Sequence, residues 1–451
     1  MRIFSILYLL VFCAVATTAQ TVSYDLTKPQ PMYSKAVGYG YDVVEAPTAK
    51  SVSPFYFSVK VPDGNYRVSV RLGSKKSGGE TTVRAESRRM IIEKCVTKKG
   101  EFRDFSFVIN KRCVDIPSFK GIDGKDTQPD KVRIKPGEVG SLTWDEKLTL
   151  EFNGASPCVQ SITIETDTTA TTVFLCGNST VVDQGKEPWA SWGQMFTRWF
   201  VEQQTQTLSP LPLKGGEPVR GGKSPFKGDL EGLSIANYAE SGLTATSFMA
   251  QNRLEKIMSV IKEGDYVICE FGHNDEKEKG PGTGAWYHYT VALKKFVDMV
   301  RAKKGNIIFC TPTQRRFFDA EGKIKNTHGD FPAAMKAVAE RENVPVIDLN
   351  AETKTLFETM GVEGSKHLLV HYPMGTFPWQ EKKFSDNTHF NPFGAYEVSK
   401  LVVMGLKRLN SPLVKYLTSD WMDFSPSKPD DWQTFYWPLS PVYDGKKPDG
   451  N

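Results

Sequence analysis

Several familiar class markers are missing from this 451-residue chain. No segment after the first 20 residues reaches the ~20 apolar residues that a membrane span needs. No dense Lys/Arg run is present and the formal net charge is only +5, which argues against a nucleic-acid partner. A mildly basic surface could help hold a polyanion, although solubility accounts for it equally well. The six histidines include no His-Glu-x-x-His, and no Cys/His spacing fits a metal site, so neither a metal nor any other cofactor is expected. Cysteine is scarce and no internal repeat occurs.

What is present describes an ordinary globular protein, 39% hydrophobic and 24% charged, and long enough for two domains. Met1-Arg2, the apolar run from Ile3 to Val15 and the small residues Ala16 to Ala19 read as a secretory signal peptide over 1–19. Cys13 follows the bulky Phe12, which suits a lipoprotein cleavage site poorly, so export to the periplasm or medium is expected rather than lipid anchoring. Export permits disulfides. Cys176, Cys269 and Cys310 end apolar strand-like runs and read as buried thiols, which leaves Cys95 with Cys113 as the pairing to consider.

Residues 20–167 read as an all-β jelly roll or sandwich, with short strands at regular spacing and Gly/Pro/Asp turns between them. Phe55–Val61 and Tyr66–Leu72 alternate with period two around Pro62-Asp63-Gly64-Asn65, which predicts a hairpin. Thr166–Ala170 is small and polar, as a linker or seam would be. From 168 to 410 the pattern becomes α/β. Strands are expected at Val173–Cys176, Leu233–Asn237, Tyr266–Glu270, Asn306–Cys310 and Val344–Leu349. Helices are expected at Trp192–Glu202, Ser247–Ile261, His288–Lys303, Pro332–Glu342 and Pro392–Leu409. Such alternation predicts a flavodoxin-like, three-layer α/β/α domain with a parallel sheet, whose ligands bind beyond the carboxyl ends of the strands. Residues 411–451 are rich in aromatics and read as an extended strap packing onto one or both domains.

Four blocks carry chemistry. Gly177-Asn178-Ser179-Thr180 puts a small hydroxyl where a buried strand breaks into a loop. Asn237-Tyr238-Ala239-Glu240-Ser241-Gly242, Gly272-His273-Asn274-Asp275 and Asp386-Asn387-Thr388-His389 follow at strand ends or before the last helix. Gly177 to Val181 lacks the second glycine of a G-x-S-x-G elbow, which disfavours an α/β-hydrolase. Asp386 and His389 are three residues apart, so one turn can join carboxylate and imidazole, and Ser179 supplies the hydroxyl that such a pair activates.

Together these blocks resemble the SGNH hydrolase superfamily, on Ser179, Gly242, Asn274 and His389. Within it, Leu175–Thr180, Gly272–Asp275, Asp386–Phe390, Trp192-Gly193 and Thr311–Arg316 resemble the rhamnogalacturonan acetylesterase family. The resemblance covers roughly 171–410. The preceding domain resembles a galactose-binding-type jelly roll. The resemblance implies Ser179 as nucleophile, His389 as general base and then acid, and Asp386 orienting the imidazole. It implies an oxyanion hole made by the N–H groups of Ser179 and Gly242 and the Asn274 amide. Many relatives carry Asp where this chain has Asn178, which keeps the hydrogen-bonding shape and loses a charge.

The implied activity is an exported serine esterase that deacetylates pectic polysaccharide or oligosaccharide, foremost rhamnogalacturonan. Homogalacturonan, xylan or another glycan is the alternative substrate, and a noncatalytic carbohydrate-binding protein is the alternative of another class. A lipid esterase would want an apolar flap that is not evident. Candidate substrate contacts are Gln184, Trp192, His273, Arg315 and Arg316. At least one of the two arginines is expected to meet a uronate carboxylate, because guanidinium pairs bidentately with carboxylate. For Trp189 and Trp192, core packing and sugar stacking are equally compatible with position. His288, His328, His367 and His371 have no matching partners in the motifs. Since all this chemistry follows residue 171, the β domain is expected to be dispensable for a small aryl acetate.

Overall fold

The computed structural model describes residues 21–47, 53–204, 219–220 and 232–441. The leader-like segment 1–19 and Tyr443 of the tail lie outside the described residues. No described helix is long and apolar enough to cross a membrane.

Among the described residues, nine strands form the two main layers of the first unit: β1 (Thr21–Asp25), β2 (Tyr39–Asp42), β3 (Phe55–Lys60), β4 (Gly64–Gly73), β5 (Gly79–Ala85), β6 (Arg89–Thr97), β7 (Phe102–Lys111), β8 (Lys147–Ser156) and β9 (Val159–Thr166). They form two antiparallel layers, ordered β2-β3-β8-β5-β6 and β1-β9-β4-β7. Inward residues such as Phe57, Leu150 and Phe152 from one layer and Val68, Val70 and Phe107 from the other share one core. The expected hairpin at Pro62–Asn65 does not form. β3 pairs with β2 and β8, whereas β4 pairs with β7 and β9, so the chain crosses between layers at that turn. Its pivot is Asp63, whose carboxylate takes Lys111 at 3.1 Å and Lys256 at 2.8 Å. Period-two alternation marks a half-buried strand but does not say which sheet it joins.

The second unit has β10 (Thr171–Gly177), β11 (Leu233–Asn237), β12 (Tyr266–Glu270), β13 (Asn306–Cys310) and the short β14 (Val346–Ile347), all parallel, in the order β11-β10-β12-β13-β14. Alternate residues of these strands enter two cores. Val173, Leu175 and Ile268 face α1 (Trp192–Phe196) and the last long helix, α7 (Pro392–Arg408). Phe174, Val267 and Phe309 face the other face's helices: α2 (Ala245–Ala250), α3 (Arg253–Val260), α4 (Thr290–Ala302) and α5 (Phe331–Glu342). The result is the expected α/β/α layering. One helix missing from the expectation, α6 (Leu349–Gly364), starts where Asp348 accepts the Ala351 N–H as an N-cap. The expected helix Ser247–Ile261 is broken in two by Asn252, whose φ of 60° is left-handed.

The two units are fused through their sheets. β7 of the first pairs in parallel with β11 of the second, so one sheet runs from β1 to β14. The polar stretch after β9 is a pinned turn. The Asp167 carboxylate accepts the Thr169 and Ala170 N–H groups and pairs with Arg67 at 2.9 Å. The tail binds both units: Phe435 packs on Phe393 and Tyr396 of the second, and Trp437 lies 3.7 Å beneath Arg84 of the first.

All six cysteines among the described residues are unpaired. Cys95 is buried in β6, while Cys113 lies against Asp63 and Asp115, so the Cys95–Cys113 pairing is not made.

Candidate active site

β10 ends at Gly177, and the chain turns immediately. Asn178 is buried, and its Oδ1 accepts the Thr180 N–H at 3.2 Å and the Thr180 hydroxyl at 3.0 Å, which closes the turn that lifts Ser179 from the sheet. These bonds need an oxygen rather than a charge, so Asn178 serves here. Gly193 of α1 lies so close that an added Cβ would sit 2.2 Å from the Val181 carbonyl oxygen. The Gln184 amide donates to the Ser179 carbonyl oxygen at 2.9 Å.

The second component comes from 210 residues later, at His389. β15 (Leu369–Tyr372) and β16 (Phe384–Phe390) form an antiparallel hairpin before α7, which Asn391 caps. The Asp386 Oδ1 accepts the N–H groups of Thr388 and His389 at 2.9 and 3.0 Å, folding the motif into a tight turn. Asp386 Oδ2 and His389 Nδ1 are 2.8 Å apart, and His389 Nε2 is 2.9 Å from Ser179 Oγ. With Nδ1–H donated to the carboxylate, Nε2 is left to accept the hydroxyl proton. Burial works against the Asp386 charge, yet the bonds from His389 and Thr388 hold the carboxyl well below the usual carboxylate range. The Trp189 indole N–H points at the same Oδ2 from 3.5 Å.

Gly242 and Asn274 stand in the loops that follow β11 and β12, the two strands that flank β10. Gly242 has φ +75°, a conformation that favours glycine. Neither its N–H nor that of Ser179 is used in a hydrogen bond to another described residue. The Asn274 amide donates to the Leu243 carbonyl at 3.2 Å. Asp275 ties these two loops together by accepting the Ala245 and Gly272 N–H groups, each at 2.8 Å.

The expected substrate contacts fare differently. Trp192 is fully buried and its indole N–H donates to Glu270, so it is core rather than a sugar platform. Gln184 braces the Ser179 loop and lines a cavity of about 160 Å³. His273 is buried beside Thr313 and held neutral, first by desolvation and then by His328 and Arg315. Its Nδ1 has no hydrogen-bond partner among the described residues. The arginines are both engaged inside the protein. Arg315 pairs with Glu276 at 2.6 Å and donates to the His273 carbonyl at 3.0 Å. Glu276 also takes His328 at 2.9 Å, a partner that the motifs had not revealed. Arg316 donates to Asn387 Oδ1 and Ser365 Oγ, both at 3.1 Å, and its own N–H meets the Asn387 carbonyl. Both fork geometries are therefore filled, and a uronate carboxylate would have to displace an existing partner. Arg316 braces the Asp386–His389 turn.

Glu270 was missed. It ends β12 fully buried, taking bonds from Thr180 at 2.9 Å, the Thr313 N–H at 3.1 Å and Trp192 at 2.5 Å. Burial among these neutral donors pushes its carboxyl up to about 7. A lone carboxylate closing an otherwise apolar strand was the available signal.

A hydroxyl, imidazole and carboxylate in one hydrogen-bonded line can attack a carbonyl carbon, and the unused Ser179 N–H can donate to the resulting oxyanion. The family model described as GDSL-like Lipase/Acylhydrolase family matches residues 224–395. The chain is 38% identical over 249 residues to rhamnogalacturonan acetylesterase RhgT of Bacillus subtilis (strain 168), covering 55% of this chain and 94% of that protein. It is 30% identical over 216 residues to the probable rhamnogalacturonan acetylesterase YesY of the same organism, covering 47% and 95%. Among solved structures, protein YxiM of Bacillus subtilis is 22% identical, with 84% of this chain and 92% of that one covered, at a TM-score of 0.43. The chain thus belongs to the GDSL-like lipase/acylhydrolase family and is a carboxylic ester hydrolase.

Proposed function

We propose that this esterase removes acetyl groups from pectic polysaccharide, foremost rhamnogalacturonan, after export from the cell. Ser179 attacks the acetyl carbonyl, His389 takes the hydroxyl proton and returns it to the departing sugar oxygen, and Asp386 holds the imidazole. Water then repeats the sequence on the acetyl-enzyme. The N–H groups of Ser179 and Gly242 and the Asn274 amide meet the oxyanion in each half-reaction.

The observation that carries this reading is the unbroken hydrogen-bonded line from Ser179 through His389 to Asp386. The sugar comes from the names of the relatives RhgT and YesY, and export is supported by the leader-like residues 1–19. The test is acetate release from acetylated rhamnogalacturonan, homogalacturonan and xylan, with Ser179→Ala as control. Release should be fastest from rhamnogalacturonan and absent in the variant. Faster release from xylan would overturn the substrate, and an active Ser179→Ala enzyme would overturn the mechanism.

A further inference from the structure

The first unit reaches into the second with cations aimed at main-chain carbonyls. Arg88 donates to the carbonyls of Gln184 and Trp189, at 2.8 and 3.1 Å, in the loop that follows the nucleophile. Arg89 donates to Ile235 O at 3.1 Å and Arg112 to Asn237 O, at the end of β11. Lys135, from the loop between β7 and β8, places its ammonium 2.5 Å from the Ser241 carbonyl oxygen.

That last contact falls on a special peptide. The Ser241 carbonyl and the Gly242 N–H belong to one amide group. Glu240 to Leu243 form a β-turn closed by the Leu243 N–H on Glu240 O at 3.3 Å, with Gly242 third at φ +75°. A positive φ at the third position is the mark of a type II turn, and it differs from type I by a flip of the central peptide. Here the central peptide is Ser241–Gly242. Glycine makes both states accessible at little steric cost, and the flip would turn the Gly242 N–H away from its present direction.

We infer that Lys135 is a positioning residue for the oxyanion hole, holding the Ser241–Gly242 peptide in the type II orientation and polarising its N–H. This rests on the reading of Gly242 as an oxyanion donor. The ammonium on the carbonyl oxygen draws electron density from the amide, which makes the N–H a stronger donor in the direction where charge develops. The first unit thereby takes part in the chemistry without touching the substrate.

The test uses the full chain and a small aryl acetate. Loss of one oxyanion donor typically costs on the order of 10²–10³ in turnover, and loosening one should cost less. Lys135→Met should therefore lower kcat roughly tenfold and leave KM unchanged. Binding of an alkyl boronic acid, which adds to Ser179 as a tetrahedral anion, should weaken by the same factor. Lys135→Arg should recover most of both losses, and Lys135→Gln, a neutral donor, should fall between. Unchanged kcat in Lys135→Met and Lys135→Gln, with Ser179→Ala inactive, overturns this inference and leaves the esterase reading standing. Lost kcat with boronate affinity intact, or no recovery in Lys135→Arg, also overturns it, since a merely structural lysine behaves that way. An active Ser179→Ala enzyme removes the esterase reading itself.

Discussion

The two units of this esterase place their important residues in opposite ways. In the parallel α/β unit, the candidate reacting groups arrive as compact blocks at strand ends, each folded by bonds within a few residues, such as Asp386 Oδ1 on the N–H groups of Thr388 and His389. The antiparallel unit contributes cations from three places, the adjacent Arg88 and Arg89, then Arg112 and Lys135, each bonded to an acceptor far away in sequence. The same contrast appears among the buried carboxyls near Ser179. Asp183 and Glu187 are paired with Arg89 at 2.7 Å and Arg88 at 2.5 Å from the other unit. Glu270 faces neutral donors and is pushed up to about 7. The chemistry is local, and its support is borrowed across the seam.

The largest expected effect lies within the α/β unit. Ser179→Ala and His389→Ala should each reduce aryl acetate turnover on the order of 10⁴-fold or more, and the double variant should be hardly worse, because the groups act as one. Steady-state kinetics on the three proteins would show it. Additive losses would break the picture of a single relay.

The second effect tests the seam. Arg89→Leu strands the buried Asp183 carboxylate and should destabilise the protein by about 3–5 kcal/mol, the usual cost of leaving one member of a buried ion pair alone. Denaturant unfolding would measure it, and Arg89→Leu/Asp183→Leu should recover much of the loss. For the same reason a chain beginning at Thr171 is expected to lose activity even toward an aryl acetate. It would expose the β11 edge that β7 covers and leave Asp183 and Glu187 without their arginine partners. Independence of the catalytic unit, expected from motif positions alone, is not what the seam suggests.

Glu270 sharpens the contrast between paired and unpaired carboxyls. Below pH about 4.5 both folded and unfolded chains hold its proton; between there and about 7 only the folded chain does. Its contribution therefore turns unfavourable as pH rises through that window. The stability of Glu270→Gln minus that of wild type should grow by up to about 3 kcal/mol from pH 4.5 to 7. A difference that stays flat with pH would mean Glu270 is ionised in the fold.

The smallest effect separates bracing from recognition. Arg316→Ala should lower kcat/KM roughly tenfold on acetylated pectin and on an aryl acetate alike, since the charged hydrogen bond it removes steadies Asn387 rather than a sugar. A loss confined to pectin would restore Arg316 as a carboxylate anchor.

Much of the α/β unit was legible beforehand. Continuous apolar runs located β10 to β13, because a parallel strand buried on both faces has no polar side to break the run. The Asp386–His389 turn was legible because its geometry is set within four residues. The β3–β4 crossover was not, since alternation is identical whether neighbouring strands pair or join opposite layers. α6 escaped because the strand signal before it was extended to Leu349.

Sequence alone thus determined the strand–helix alternation of the α/β unit apart from α6 and the split at Asn252, the grouping of Asp386 with His389 in one turn, and the aromatic tail as a strap. These depend on periodicity, on turn chemistry and on groups close together in the chain. Only the tertiary structure decided that Arg315 and Arg316 are engaged internally, that Trp192 is core, that Glu270 is buried against Thr180, and that Lys135 meets the Ser241 carbonyl. Each of these is a contact between residues dozens to hundreds of positions apart. A long cationic side chain can satisfy any of several acceptors within its reach, and which acceptor it meets is set by how the two sheets fuse.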